Sequence, residues 1–220
     1  MKTTRTALVL AGLALAGYPA LRPYGPETGL EGAADLGSTA WLVSHVLGML
    51  GFVLVALALR SASVAGVAWR GLPLRSVESR AWVAVALLLP YYGAEAYGLN
   101  ELGRHATATG DATVLDVADA FRYAPLEVAT FAAGLLVLAV VGVHLARGRW
   151  AVGGVARWGG LLAGAGLATY LPQFFATPEL RVAHGAVLGL GLLLTAAGLR
   201  EDREPAAAEQ AAQSPLTLTI

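Results

Sequence analysis

Apolar residues fall in long blocks along this chain, not in alternation. Six stretches carry few or no charges: about Thr6–Leu21, Thr39–Leu59, Ala81–Leu99, Pro125–Ala146, Ala151–Leu171 and Leu180–Leu199. A helix crosses a bilayer core with roughly 20 apolar residues. The blocks therefore predict an all-α protein, a polytopic membrane bundle of six transmembrane helices. Residues 1–200 would form that domain, and the Ala/Gln/Glu-rich residues 201–220 a disordered cytoplasmic tail.

The connections are read from their breakers. Residues 22–38 hold Pro23, Gly25, Pro26 and Gly29 and predict an outer loop of turns. Residues 100–124 predict the longest outer connection. Within it Asp111 is a candidate N-cap, and Val114, Leu115, Val117, Ala118 and Phe121 recur at helical spacing. Asp116, Asp119 and Arg122 take the polar side, so 112–123 predicts a short amphipathic helix on the membrane surface, a connector or a lid. Small residues mark packing seams at Gly12-xxx-Ala16, Ser44-xxx-Gly48, Gly160-xxx-Gly164 and Gly185-xxx-Gly189.

Composition supports the membrane reading. Hydrophobic residues are 56% and charged residues 14% of 220, and the mean hydropathy is +0.62. Soluble domains carry about 25% charged residues. A net charge of zero leaves no basic footprint for nucleic acid. With no cysteine there are no disulfides, thiolate nucleophiles or iron–sulfur ligands. Lys2 is the only lysine, which excludes Schiff-base chemistry inside the membrane. Walker, dinucleotide, HExxH and nucleophile-elbow motifs are missing from the sequence.

Charge sets the expected threading. If both termini and the 60–80 and 147–157 connections are cytoplasmic, eleven of the fifteen basic residues lie inside, and Arg22, Arg104, Arg122 and Arg181 lie outside. Trp69, Trp82, Trp150 and Trp158 then mark the inner interface and Trp41 the outer one, with all seven tyrosines in the outer half. The expected location is a bacterial plasma membrane, in keeping with the excess of arginine over lysine. Lys2, Arg5 and the Ala14-Leu15-Ala16 triplet have signal-peptide grammar, but the Pro19 and Arg22 boundary favours a retained first helix.

Ionisable groups within a span are expensive and need a partner or a purpose. His45, Glu95, Glu127 and His184 sit at similar depths in the outer third of four helices and are the candidate catalytic groups. Tyr91, Tyr92, Tyr97, Asn100, Tyr170, Gln173 and Arg181 lie at the same level and are candidate ligand-binding residues. Tyr91 and Glu95 share a helix face, and Pro90 should bend that helix.

Three readings fit this layer. It ties helices together in a non-enzymatic component, with Glu95 neutral or paired with a histidine or Arg181. It holds haem or zinc through His45, His184 and Glu95. Or it binds a lipid-like or small apolar molecule, with Glu95 and a histidine as an acid–base pair. No motif requires a cofactor. The expected partners are the bilayer and a small apolar ligand. A proton path would need polar groups reaching the inner face, and those helix halves are nearly all Leu, Val, Ala and Gly.

Overall fold

The computed structural model describes residues 1–67, 69 and 71–199. The tail expected over 201–220 lies outside the described residues, as do Arg70, Arg200 and Arg203 of the charge count. The described chain is all-α, with no strand among its residues.

Six long helices are α1 (Lys2–Leu21), α3 (Thr39–Val64), α4 (Leu74–Gly93), α7 (Pro125–Trp150), α8 (Gly154–Ala168) and α9 (Pro178–Gly198). They coincide with the six apolar blocks. Each packs against its neighbours in chain order, and α9 returns to α1, so the six close into a ring. Neighbouring helices run antiparallel: Gly51 meets Leu15 while Gly48 meets Tyr18, and Gly142 meets Gly164 while Gly160 meets Arg149. Leu15, Phe52, Leu88, Leu135, Leu167, Leu188 and Leu192 fill the centre. Both ends of the ring are polar. The "terminal end" holds the start of α1 and the end of α9, and the "cavity end" holds the α1–α3 and α4–α7 connections.

Four of the six, α1, α3, α7 and α9, are long and apolar enough to cross a membrane. α4 opens with Arg75, Glu78 and Arg80. α8 has 15 residues, about 22 Å at 1.5 Å per residue, against a hydrocarbon core of about 30 Å.

All four small-residue seams are contacts inside the ring. A Cβ on Gly12 would lie 2.9 Å from the Gly189 carbonyl oxygen, and one on Gly185 would meet the Pro19 ring. Gly164 lies against the Gly142 carbonyl, Gly160 against Arg149, and Gly48 against Tyr92 and Tyr18.

The cavity end departs from expectation. The 22–38 segment contains a helix, α2 (Gly29–Leu36), whose Ala33 and Leu36 are buried. Its turn signals lie before Gly29, which has φ +65° and starts the helix. The helix ending near Leu99 runs on. α4 passes through a π-turn, Ala94–Gly98, into α5 (Leu99–Thr109). The buried face of α5 is Leu99, Asn100, Gly103 and Ala106. Gly103 and Gly37 approach backbone to backbone, which welds α2 to α5. Asp111 caps a 3₁₀ turn, Ala112–Leu115, by accepting from the Thr113 N–H, and α6 (Asp116–Arg122) follows. Leu36, Trp41, Leu99, Leu115 and Ala118 form a second small core here. Asp116 and Asp119 are exposed, as solvated charges should be.

α3 starts from this platform. The Ser38 hydroxyl accepts from the Trp41 N–H at 3.0 Å and donates to the Asp35 carbonyl at 2.7 Å. Ser38→Ala removes the cap and is expected to cost about 1 kcal/mol, read as a lower melting temperature with unchanged helix content.

Candidate functional site

The π-turn places the key carboxylate. Pro90 has no N–H, so the Ala86 carbonyl loses its helical donor. Four residues on, the helix widens into the π geometry at 94–98. Such insertions recur at functional sites because they re-aim a side chain. Here Glu95 is turned into the bundle and is 6% exposed. The Trp41 indole N–H donates to the Glu95 carbonyl oxygen at 2.7 Å and pins the turn to α3. Trp41 is thus fully buried, not a residue of the outer interface. The Glu95 carbonyl holds its indole inside.

One helical turn further along α3 is His45. Its Nδ1 lies 2.8 Å from the Trp41 carbonyl oxygen, which can only accept. Nδ1 therefore carries the proton, and Nε2 faces a Glu95 carboxylate oxygen at 3.8 Å. Tyr18 and Tyr92 pack against the His45 ring with centroids 5.3 and 6.1 Å away.

Arg122 joins this pair to the loop. Its Nε donates to Glu95 at 2.8 Å and Nη2 to the other oxygen at 3.4 Å, while Nη1 donates to Glu27 at 2.7 Å. Glu27 in turn pairs with Arg22, which also donates to the Pro23 carbonyl at 3.0 Å and lies 4.6 Å over the Trp41 ring. The chain of charges therefore runs Arg22, Glu27, Arg122, Glu95, and ends on His45. Burial alone would push the Arg122 guanidinium down, but Glu95 and Glu27 outweigh it and hold it well above its ordinary value.

Burial likewise pushes the Glu27 carboxyl up. Arg122 and Arg22 win, and the net shift is down from 4.5. Stability carried by Glu27 is complete above that ordinary value and is lost as pH falls through the lowered value of the folded protein. Glu27→Gln is therefore expected to flatten the acid limb of melting temperature against pH below about 4.5 and to lower the plateau above it.

Beneath this network is a cavity of about 400 Å³. Tyr18, Tyr92, Phe131 and Phe174 give it aromatic walls, and Arg22, Arg122, Arg181, Glu27, Glu95 and His45 supply its polar groups. Tyr91 stacks on Phe131 at 4.2 Å. The Arg181 guanidinium lies 5.4 Å over Phe174 and 5.2 Å over Tyr24. Val128 and Ala132 of α7 and Leu171 and Phe175 of the α8–α9 connection edge one side, with Phe175 almost fully exposed.

His45, Glu95, Tyr91, Tyr92 and Arg181 thus converge as their depths suggested. The other candidates do not line this cavity. His184 faces α8, with Nε2 2.9 Å from the Gly166 carbonyl and 3.1 Å from the Thr169 hydroxyl. The axial pair His45/His184 is therefore not formed. Among the described residues no three His, Asp or Glu side chains gather to hold a metal, so the His45, His184 and Glu95 set is not assembled either. Glu127 is exposed and borders a separate cavity of about 230 Å³ behind Tyr91. Tyr97 is exposed because the π-turn rotates it outward. Asn100 is consumed in structure, donating to the Leu36 and Ser38 carbonyls at 2.9 Å. Tyr170 is buried behind the wall with its hydroxyl 3.5 Å from that of Tyr92. Gln173 is buried in the 3₁₀ turn Pro172–Phe175.

Arg22, Glu27 and Arg122 are the residues missed. Arg122 was expected on the wet side of a surface helix. A signal for them exists in the charge count: of the four arginines left outside by the threading, three line this cavity. Compared with known protein families, curated proteins and solved structures, the chain matches none.

Proposed function

We propose that this chain is a six-span protein of a bacterial plasma membrane, with both termini cytoplasmic and the cavity end outside, and that the cavity binds a small amphipathic molecule. The arginine asymmetry supports the threading. Closure of the ring supports six spans, since α4 and α8 sit between helices that are themselves long and apolar enough to cross. α2, α5 and α6 then form a cap at the outer surface.

The carrying observation is the cavity itself: about 400 Å³, lined by aromatic rings and by charged groups. Ligand sites are mostly apolar with a few convergent polar groups, as here. A bundle that needed the polar layer only to join helices would fill this space with side chains.

Catalysis by His45 and Glu95 is a second reading, favoured by one observation: the unprotonated His45 Nε2 faces the cavity 3.8 Å from the carboxylate. Binding ranks first because Arg122 already engages both oxygens of Glu95.

Melting temperature in nanodiscs tests the binding reading. Dodecyl phosphate, dodecanol and dodecyltrimethylammonium share one tail and differ in head charge. At least one is expected to raise the melting temperature, and Ala132→Trp, which fills the cavity, is expected to abolish the rise. No rise with any probe, or a rise that survives Ala132→Trp, contradicts it.

A further inference from the structure

Among the described residues, the fully buried side-chain atoms left without a partner at the cavity end are donors. The Arg22 Nε, the Gln173 Nε2 and the Arg181 Nε are buried and have no hydrogen-bond partner among the described residues. Buried N–H groups without acceptors are rare because each carries its full desolvation penalty. No buried side-chain oxygen is left unpartnered in the same region.

Charge gives the same answer independently. Arg22, Arg122 and Arg181 face the cavity, against Glu27 and Glu95. Arg122 engages both carboxylates, and Arg22 engages Glu27 as well. Arg181 makes no ion pair with a described residue; its neighbours are the faces of Tyr24 and Phe174. Two rings hold its guanidinium in place with its in-plane donors uncommitted.

The cavity also has an apolar side. α8 ends at Ala168, a short helix, and the chain crosses to α9 through the 3₁₀ turn at 172–175. At this level the wall between α7 and α9 consists of Val128, Ala132, Leu171, Phe174 and Phe175. The same space is thus lined by three arginines and by an apolar strip from α7 and the α8–α9 connection.

Resting on the cavity reading above, we infer that the occupant is an anionic amphiphile, with a phosphate or carboxylate head on Arg181 and Arg22 and an apolar tail leaving between α7 and the α8–α9 connection into the outer leaflet. The head supplies acceptors to the guanidinium of Arg181, which lines the cavity and makes no ion pair with a described residue. Arg is suited to this because its planar fork matches the oxygens of either group. The same head chemistry could come from a membrane lipid or from a free soluble anion, and the tail assigns it to the membrane.

The test uses the full chain in nanodiscs, with inorganic phosphate added to the probe set. Dodecyl phosphate is expected to half-saturate the melting shift at a concentration at least about tenfold below dodecanol, equivalent to about 1.4 kcal/mol. Dodecyltrimethylammonium should give no shift. Arg181→Gln should erase the preference for phosphate over alcohol, and Arg181→Lys should keep much of it, which separates loss of charge from loss of fold. Equal affinity for dodecanol and dodecyl phosphate, or a preference unchanged in Arg181→Gln, overturns the anionic head while leaving the cavity reading standing. Inorganic phosphate binding as tightly as dodecyl phosphate overturns the tail and assigns the site to a soluble anion.

Discussion

Arg122→Ala is expected to destabilise the protein by about 3–5 kcal/mol, the largest effect of any single substitution at the cavity end. Arg122 is the shared partner of Glu95 and Glu27. Its loss leaves Glu95, whose side chain is 8% exposed, as a buried carboxylate facing only a histidine. Removing one member of a buried pair is costly because the other stays desolvated without compensation. The double variant Arg122→Ala with Glu95→Gln removes both charges and should recover most of that loss. Melting in detergent, combined as a double-mutant cycle, measures the coupling. If the two single variants and the double variant add without coupling, Arg122 is an ordinary surface arginine and the charge chain does not operate.

Gly191→Ala is expected to cost about 1–3 kcal/mol, and for a different reason. A Cβ there would lie 2.2 Å from the Ala163 backbone N and 2.8 Å from its Cα. Backbone cannot rotate aside, so α9 and α8 must separate along their length. Gly159, which meets the Thr195 N at 2.4 Å from the other side, should respond likewise. Gly93 is the control. It is helical, with φ −66°, and a Cβ there meets nothing within 4 Å. Gly93→Ala should therefore raise stability by about 0.5–1 kcal/mol through helix propensity. The opposed signs distinguish close helix contact from a general aversion to larger residues. Without a hydrophobic drive between helices in lipid, such contact is much of what closes the ring.

Sequence periodicity located the six long helices because apolar blocks of that length have few other solutions. The seams were legible for the same reason, since small residues at spacing four admit only close approach. The α2 and α5 helices were not. Their apolar positions are few, and what fixes them is mutual contact through Gly37 and Gly103. The π-turn was hidden too. Pro90 announced a disturbance, but its form depends on the Trp41 indole, which is 54 residues away from Glu95.

Position along a helix did not reveal rotation about its axis. His45 and His184 lie at matching levels, yet one faces Glu95 and the other the α8 backbone. Each residue turns a helix by about 100°, so direction is set by which neighbour a face packs against. Arg122 shows the limit most clearly. Asp116 and Asp119 on the side taken as wet are exposed, but Arg122 from that side lines the cavity.

The chain has no cysteine, so a single introduced one reports without background. The most direct measurement is labelling of Tyr123→Cys in intact cells by a membrane-impermeant maleimide, with and without dodecyl phosphate. Tyr123 borders the cavity and is 66% exposed. Labelling from outside that dodecyl phosphate slows is the predicted result. Labelling only after the cytoplasmic face is opened, or an external rate indifferent to dodecyl phosphate, would contradict an outward-facing cavity that holds an anionic amphiphile.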